Sequence, residues 1–98
     1  MYKIKYLANA KKDIDDILFY ISHNLKNSTA AYNLLKEFER ADRLIIIFPH
    51  GTVKKVNNNN YYFHKVKNYY FIYVIDEQEK IIKVMRVLYK KRNYDNLL

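Results

Sequence analysis

The last third of the chain is dense in basic and aromatic side chains that suit chemistry on a polyanion. Lysine and arginine pair with phosphates, and tyrosines stack on unpaired bases. Lysine and arginine also stabilise a phosphorane without a metal ion. A tyrosine or histidine serves as general acid or base when neighbouring charges shift its pKa. The set comprises His64, Lys65, Tyr69, Tyr70, Tyr73, Lys83, Arg86, Tyr89, Lys90, Lys91, Arg92 and Tyr94.

Two kinds of role are open to these residues. If RNA is cut, Arg86 and Tyr89 are the candidates for catalysis. The candidates for contact with a target or a nucleic acid are His64, Lys65, Lys83, Lys90, Lys91 and Arg92. Structural roles stay open as well. Tyr69 and Tyr73 fit cross-strand packing, and Arg86, inside an apolar strand, fits an ion pair as well as a ligand role.

Other enzyme signatures are missing from the sequence. The chain has one glycine, which excludes a phosphate-cradling loop or a dinucleotide fingerprint. It has no cysteine, and its three histidines, His23, His50 and His64, are scattered without metal-ligand spacing. We therefore expect no metal and no cofactor. If the protein is an enzyme, it is a metal-independent one.

The distribution of charge points to an acidic partner. The formal net charge is +8. From Arg43 to Ile75 there are five basic residues and no acid, and from Lys80 to Tyr94 six and no acid. A basic block attracts RNA, DNA or an acidic protein. A solvated surface in a lysine-rich protein explains the charge on its own equally well.

The elements that must position these residues follow from periodicity. Residues 2–7 alternate as a strand does. Apolar stripes at helical spacing run from Ile14 to Leu25 and from Ala31 to Ile45, with Ser28 or Thr29 as a cap between them. Residues 61–66, 69–75 and 80–89 are rich in aromatic and β-branched residues. Residues 54–56 resemble a short strand extension, and Asn57 to Asn60 a polar loop.

This order predicts an α+β fold, β-α-α-β-β-β, with an antiparallel helical hairpin packed on one face of a mostly antiparallel sheet. The other face must then be left to solvent or to a ligand. The length of 98 residues fits one domain, residues 1–98. No apolar run approaches the roughly 20 residues of a membrane span. We therefore expect no membrane partner. A small chain without cysteine favours a reducing, cytoplasmic setting.

The order and spacing of several segments resemble those of the RelE/ParE toxin superfamily, over nearly the whole chain. The segments are Asp13-Ile14-Asp15-Asp16-Ile17 running to Tyr20-Ile21, Ala30-Ala31, Leu44 through Phe48-Pro49, Val66-Lys67-Asn68-Tyr69 leading to Ile72-Tyr73, and Arg86-Val87-Leu88-Tyr89 with Arg92-Asn93. The resemblance implies a RelE/ParE-like fold. It also implies the toxin component of a bacterial type II toxin–antitoxin system of the kind that inhibits growth and stabilises plasmids.

The resemblance implies partners too. A cognate antitoxin, which we expect to be acidic, holds such toxins inactive, and operator DNA is contacted only through the antitoxin complex. RelE-like members cut mRNA in the ribosome, whereas ParE-like members poison DNA gyrase. Arg86 matches the superfamily's strand arginine, and Tyr89 stands where histidine or tyrosine is common. Tyr70 stands where the nucleases carry arginine, and Tyr62 where a basic residue is common.

Three hypotheses follow. The first is a toxin that binds DNA gyrase. The alternative is a ribosome-dependent endoribonuclease, an mRNA interferase, that uses the basic and aromatic last strand and tail. The third is a nucleic-acid-binding module without toxicity. A short acidic reading frame beside this one is the observation that would favour the first two over the third.

Overall fold

The fold combines two helices with one five-stranded sheet, as a computed structural model of residues 1–98 describes it. The elements are β1 (Lys3–Tyr6), α1 (Ala8–Phe19), a π-helical turn (Tyr20–Asn24), α2 (Ser28–Ile47), β2 (Thr52–Val56), β3 (Asn59–Val66), β4 (Tyr69–Asp76) and β5 (Ile81–Tyr89). The predicted fold class, α+β with the helices on a mostly antiparallel sheet, is confirmed. The predicted order of elements lacked one strand, β2.

The sheet has the order β1-β5-β4-β3-β2. Strands β2 to β5 form consecutive antiparallel pairs, whereas β1 pairs with β5 in parallel, Lys3 opposite Ile81 and Tyr6 opposite Val84. A parallel pair needs a long crossover. Here the crossover from β1 to β5 contains both helices and strands β2 to β4. Neither helix is long and apolar enough to cross a membrane.

The additional strand exists because only two of the four asparagines form a turn. Asn57 and Asn58 have positive φ angles of 51° and 66°, the backbone of a two-residue type I′ hairpin turn, which asparagine tolerates well. Asn59 and Asn60 continue into β3 and pair with Val56 and Lys55. The prediction of a polar loop over all four positions was therefore too long, and β2 becomes a full edge strand.

The helix boundaries depend on one side-chain cap. The side chain of Asn27 accepts a hydrogen bond of 2.9 Å from the backbone N–H of Ala30, so Asn27 is the cap of α2, ahead of the predicted Ser28 or Thr29. Lys26, with a φ of 50°, reverses the chain before this cap. The chain leaves α2 at Phe48, ahead of Pro49, because proline cannot continue a helix.

Two apolar clusters lie on opposite faces of the sheet. The larger one joins α1 and α2 to the sheet through Phe38, Phe71 and Tyr73. The smaller one contains Val56, Tyr61, Phe63, Ile72 and Leu88. The segment after β5 packs against this smaller cluster through Tyr94, Leu97 and Leu98. The face away from the helices, which we call the open face, is thus partly covered by the chain itself and is not left wholly to solvent or a ligand.

Candidate functional site

The two candidates for catalysis leave opposite faces of β5. Arg86 lies opposite Ile72, which belongs to the cluster on the open face. Tyr89 lies opposite Tyr69, which packs against the helix-side core. Because directly opposed residues of neighbouring strands project from the same face, the guanidinium and the phenol start on different sides of the sheet. The hydrogen bonds of Arg86 go to Asp13 and Leu97, and none joins it to Tyr89.

Arg86 is held by a carboxylate of α1. Its Nε donates to Asp13 Oδ2 at 2.7 Å and its Nη2 to Asp13 Oδ1 at 2.9 Å, a bidentate pair. These hydrogen bonds, together with the charge of Asp13, raise the pKa of Arg86. Its Nη1 donates to the carbonyl of Leu97 at 3.3 Å. Of the two roles left open by the sequence, the structure therefore shows the ion pair.

The position of Asp13 follows from where β1 ends. The backbone N–H of Leu7 donates to the carbonyl of Val84, and beyond this point β5 has no strand on that side. Asp13 fills the gap, since its Oδ2 also accepts the backbone N–H of Val87 at 3.0 Å. One carboxylate thus closes the edge of β5 and neutralises Arg86, which attaches α1 to the last strand.

Tyr89 marks the end of the sheet. Its side chain is 40% exposed, and its ring lies 5.9 Å from that of Tyr69 in an edge-to-face arrangement. The next backbone N–H, that of Lys90, donates to the carbonyl of Asn68, and the N–H of Arg92 donates to the carbonyl of Tyr89. Lys91 and Arg92 are exposed. They form a basic turn directly after β5 that is open to a macromolecular partner.

The remaining basic candidates divide between the two faces. His64 lies opposite Phe71 on the helix side and lines a groove of about 240 Å³ together with Arg40 and Leu44 of α2. Lys65 lies opposite Tyr70, and Lys83 opposite Val74, both on the open face. Lys65 and Lys83 are therefore the members of the set that share a face with Arg86, and His64 is separated from them.

The half-buried position of His64 has a consequence for stability. Burial lowers the pKa of His64 from its ordinary value of 6.5, so the unfolded chain binds a proton more readily than the folded one. The contribution of neutral His64 to the free energy of unfolding is fully present above pH 6.5. It declines as the pH falls toward the lowered pKa of the folded state. We expect thermal melts of wild type to lose more stability between pH 8 and pH 5.5 than melts of His64→Gln. Equal losses in both proteins would contradict this prediction.

Two features of the open face were missed by sequence reasoning. The ammonium of Lys54 lies 4.8 Å from the ring centroid of Phe63 and 4.9 Å from that of Tyr70, in cation–π geometry. The ring of Tyr94 stands edge-on to Phe63 at 5.2 Å. The contacts of Lys54 depend on strand register, and the contact of Tyr94 depends on the return of the chain after Arg92. The basic and aromatic composition was the only signal of them in the sequence.

The comparison with protein families agrees with this architecture. The family model described as the ParE toxin of the type II toxin–antitoxin system parDE matches residues 4–94, nearly the whole chain. A search among curated proteins gives no significant match. The matched region runs from β1 through the Asp13–Arg86 pair to Tyr94. The chain therefore belongs to the ParE toxin family of type II toxin–antitoxin systems.

Proposed function

We propose that this toxin acts in the cytoplasm by binding DNA gyrase and not by cutting RNA. The observation that carries the proposal is the separation of the two catalytic candidates. Arg86 is paired with Asp13, and Tyr89 leaves the opposite face of β5. Cleavage by the ribose 2′-hydroxyl needs an acid or base and a cation around one phosphate. A toxin that binds a protein needs no such convergence.

The surface proposed for gyrase is the basic turn after β5. Lys91 and Arg92 are exposed there, Lys90 is half-buried beside them, and no acid occurs between Lys80 and Tyr94. An exposed cluster of one sign steers an oppositely charged partner and accelerates association. The exposed part of Tyr89 adjoins this turn and adds apolar contact area.

The test measures supercoiling of relaxed plasmid by gyrase in the presence of the purified toxin. We expect inhibition by wild type, and for Lys91→Glu/Arg92→Glu a rise of roughly tenfold in the toxin concentration for half inhibition, because two attractive charges become repulsive. Lys11→Glu/Lys26→Glu is the matched control, since it changes the same charge at exposed positions on the helical side. Uninhibited gyrase at a large excess of toxin rejects the proposal.

The second candidate, a ribosome-dependent endoribonuclease, is favoured by one observation on the open face. Lys54 lies over Phe63 and Tyr70, and Lys65 and Lys83 project from the same face. Such a face suits phosphates and unpaired bases. This candidate requires cleavage of mRNA in a translation reaction, with loss of cleavage in Arg86→Ala or Tyr89→Phe. Intact mRNA at toxin levels that stop growth removes it.

A further inference from the structure

We propose that the free edge of β2 is a docking site for the antitoxin, which adds an extended, acidic segment there as a sixth strand. The inference rests on membership of a toxin–antitoxin family and is independent of whether the target is gyrase or mRNA. It is carried by three properties of one edge of the sheet: free backbone groups, exposed apolar side chains beside them, and two consecutive exposed lysines within the strand.

The backbone geometry leaves hydrogen-bonding groups unused along this edge. β2 is the last strand of the sheet and pairs only with β3. In a two-residue hairpin the pair that flanks the turn, here Val56 and Asn59, is hydrogen-bonded, and bonded and non-bonded pairs then alternate. The N–H and C=O groups of Val53 and Lys55 therefore point away from β3. An added strand satisfies them without disturbing the hairpin.

Exposed apolar side chains lie beside these groups. Ile47 is 63% exposed, Phe48 72% and Val53 49%. Val53 is opposite Tyr62, which packs on the helix side of the sheet, so Val53 projects toward the side on which α2 ends at Ile47. A strand bound at this edge directs every second side chain to that side. Apolar residues at those positions of the bound segment cover Val53 and the end of α2.

The charge of this region selects an acidic segment. Lys54 and Lys55 are consecutive and exposed, and they project from the two faces of β2. No acid occurs anywhere from Arg43 to Ile75. A second copy of the chain docked on the same edge would bring these lysines close to their own counterparts, and edge lysines oppose such self-pairing. Carboxylates on the bound segment relieve that repulsion and accelerate association.

The opposite edge of the sheet also has free backbone groups and exposed lysines, Lys3 and Lys5, but it lacks the exposed apolar strip. β1 has four residues, and its apolar side chains, Ile4 and Tyr6, are half-buried against the helix-side core. The hydroxyl of Tyr6 is already bonded to Asp42 of α2 at 2.6 Å. No exposed apolar strip flanks this strand. Of the two edges, β2 is therefore the one built to receive a partner.

Hydrogen–deuterium exchange tests the docking directly on the full chain, alone and in complex with its purified cognate antitoxin. We expect the amides of Val53 and Lys55 to exchange at least about tenfold more slowly in the complex, because each gains a strand partner. The amides of β3 and β4, which are already paired, report general stabilisation and provide the internal reference. A complex in which residues 52–56 exchange as in the free toxin overturns the inference.

Variants separate backbone pairing from general affinity. Val53→Pro removes an N–H that makes no hydrogen bond within the hairpin. Proline is tolerated at such a position of an edge strand. We expect it to weaken antitoxin binding at least about tenfold, and Val53→Thr, which keeps the N–H, to weaken it less. Lys55→Glu slows association, whereas the matched control Lys11→Glu on α1 does not. Circular dichroism verifies folding, and wild-type affinity in Val53→Pro and Lys55→Glu contradicts the proposal. The assay contains no gyrase, so its failure is separate from failure of the proposed target.

Discussion

Replacing Asp13 by alanine should lower the free energy of unfolding by about 2 kcal/mol, which is a fall in Tm of roughly 8 to 16 °C for a domain of this size. Two losses add. Arg86 keeps its charge in a site where its side chain is 18% exposed, and the N–H of Val87 loses its acceptor. Leaving a largely desolvated charge and a donor unpaired is costly. The partial exposure of the Arg86 side chain keeps the expected value below that of a fully buried pair.

Two further variants assign the effect to the pair. Asp13→Asn keeps an oxygen of similar position for the N–H of Val87 and removes the charge, so it should fall between wild type and Asp13→Ala. Asp16→Asn breaks the exposed pair with Lys12 on the same helix and should leave Tm unchanged within error. Thermal melts followed by circular dichroism measure all three. A Tm for Asp13→Ala equal to that of Asp16→Asn would show that Asp13 does not attach α1 to β5.

Replacing Phe38 by alanine should have the largest effect on stability, about 3 to 5 kcal/mol. Phe38 is buried where α2 meets the sheet, with its ring 5.3 Å from Phe71 and 5.9 Å from Tyr69. Its removal leaves a cavity between α2 and the sheet. Neither layer can move in to fill the cavity, because both are closely packed elsewhere. Since domains are typically stable by only about 5 to 15 kcal/mol, this variant should lose a large part of the free energy of unfolding.

Urea denaturation measures this loss, with Phe38→Leu as the control. Leucine keeps most of the apolar volume, so we expect a cost below about 1.5 kcal/mol. The m-value should stay constant if both variants fold to the same structure. A midpoint for Phe38→Ala close to that of Phe38→Leu would mean that α2 does not depend on this side chain for docking.

Local patterns predicted the elements, since their causes lie within a few residues of each other. The stripe from Ala31 to Ile45 predicted α2, because helix periodicity is a property of neighbouring turns. The strands after Tyr61 followed from their composition. Residues 54–56 were predicted only as a strand extension and not as a paired strand, because four consecutive asparagines suggest a loop and not a two-residue hairpin turn. Which two of them form the turn depends on cross-strand pairing that no local pattern records.

The candidate site was less predictable, because it depends on distant partners. The carboxylate that binds Arg86 is 73 residues away in the chain. Strand alternation alone does predict that His64 and Lys65 separate, and that Arg86 and Tyr89 do, given their odd spacing. It would also separate Lys83 from Arg86, which nevertheless share a face. The irregularity of register opposite Ile72 and Tyr73 inserts one extra residue of β5 between them.

The parallel pairing of β1 with β5 has a consequence for the order of events during synthesis. β1 leaves the ribosome well before its only strand partner, since Lys3 pairs with Ile81. The same holds for Asp13 and Arg86. Contacts of such sequence separation form late in folding. We therefore expect a nascent chain that has not yet released β5 to be unable to complete the sheet. The toxin then becomes competent only after β5 has left the ribosome.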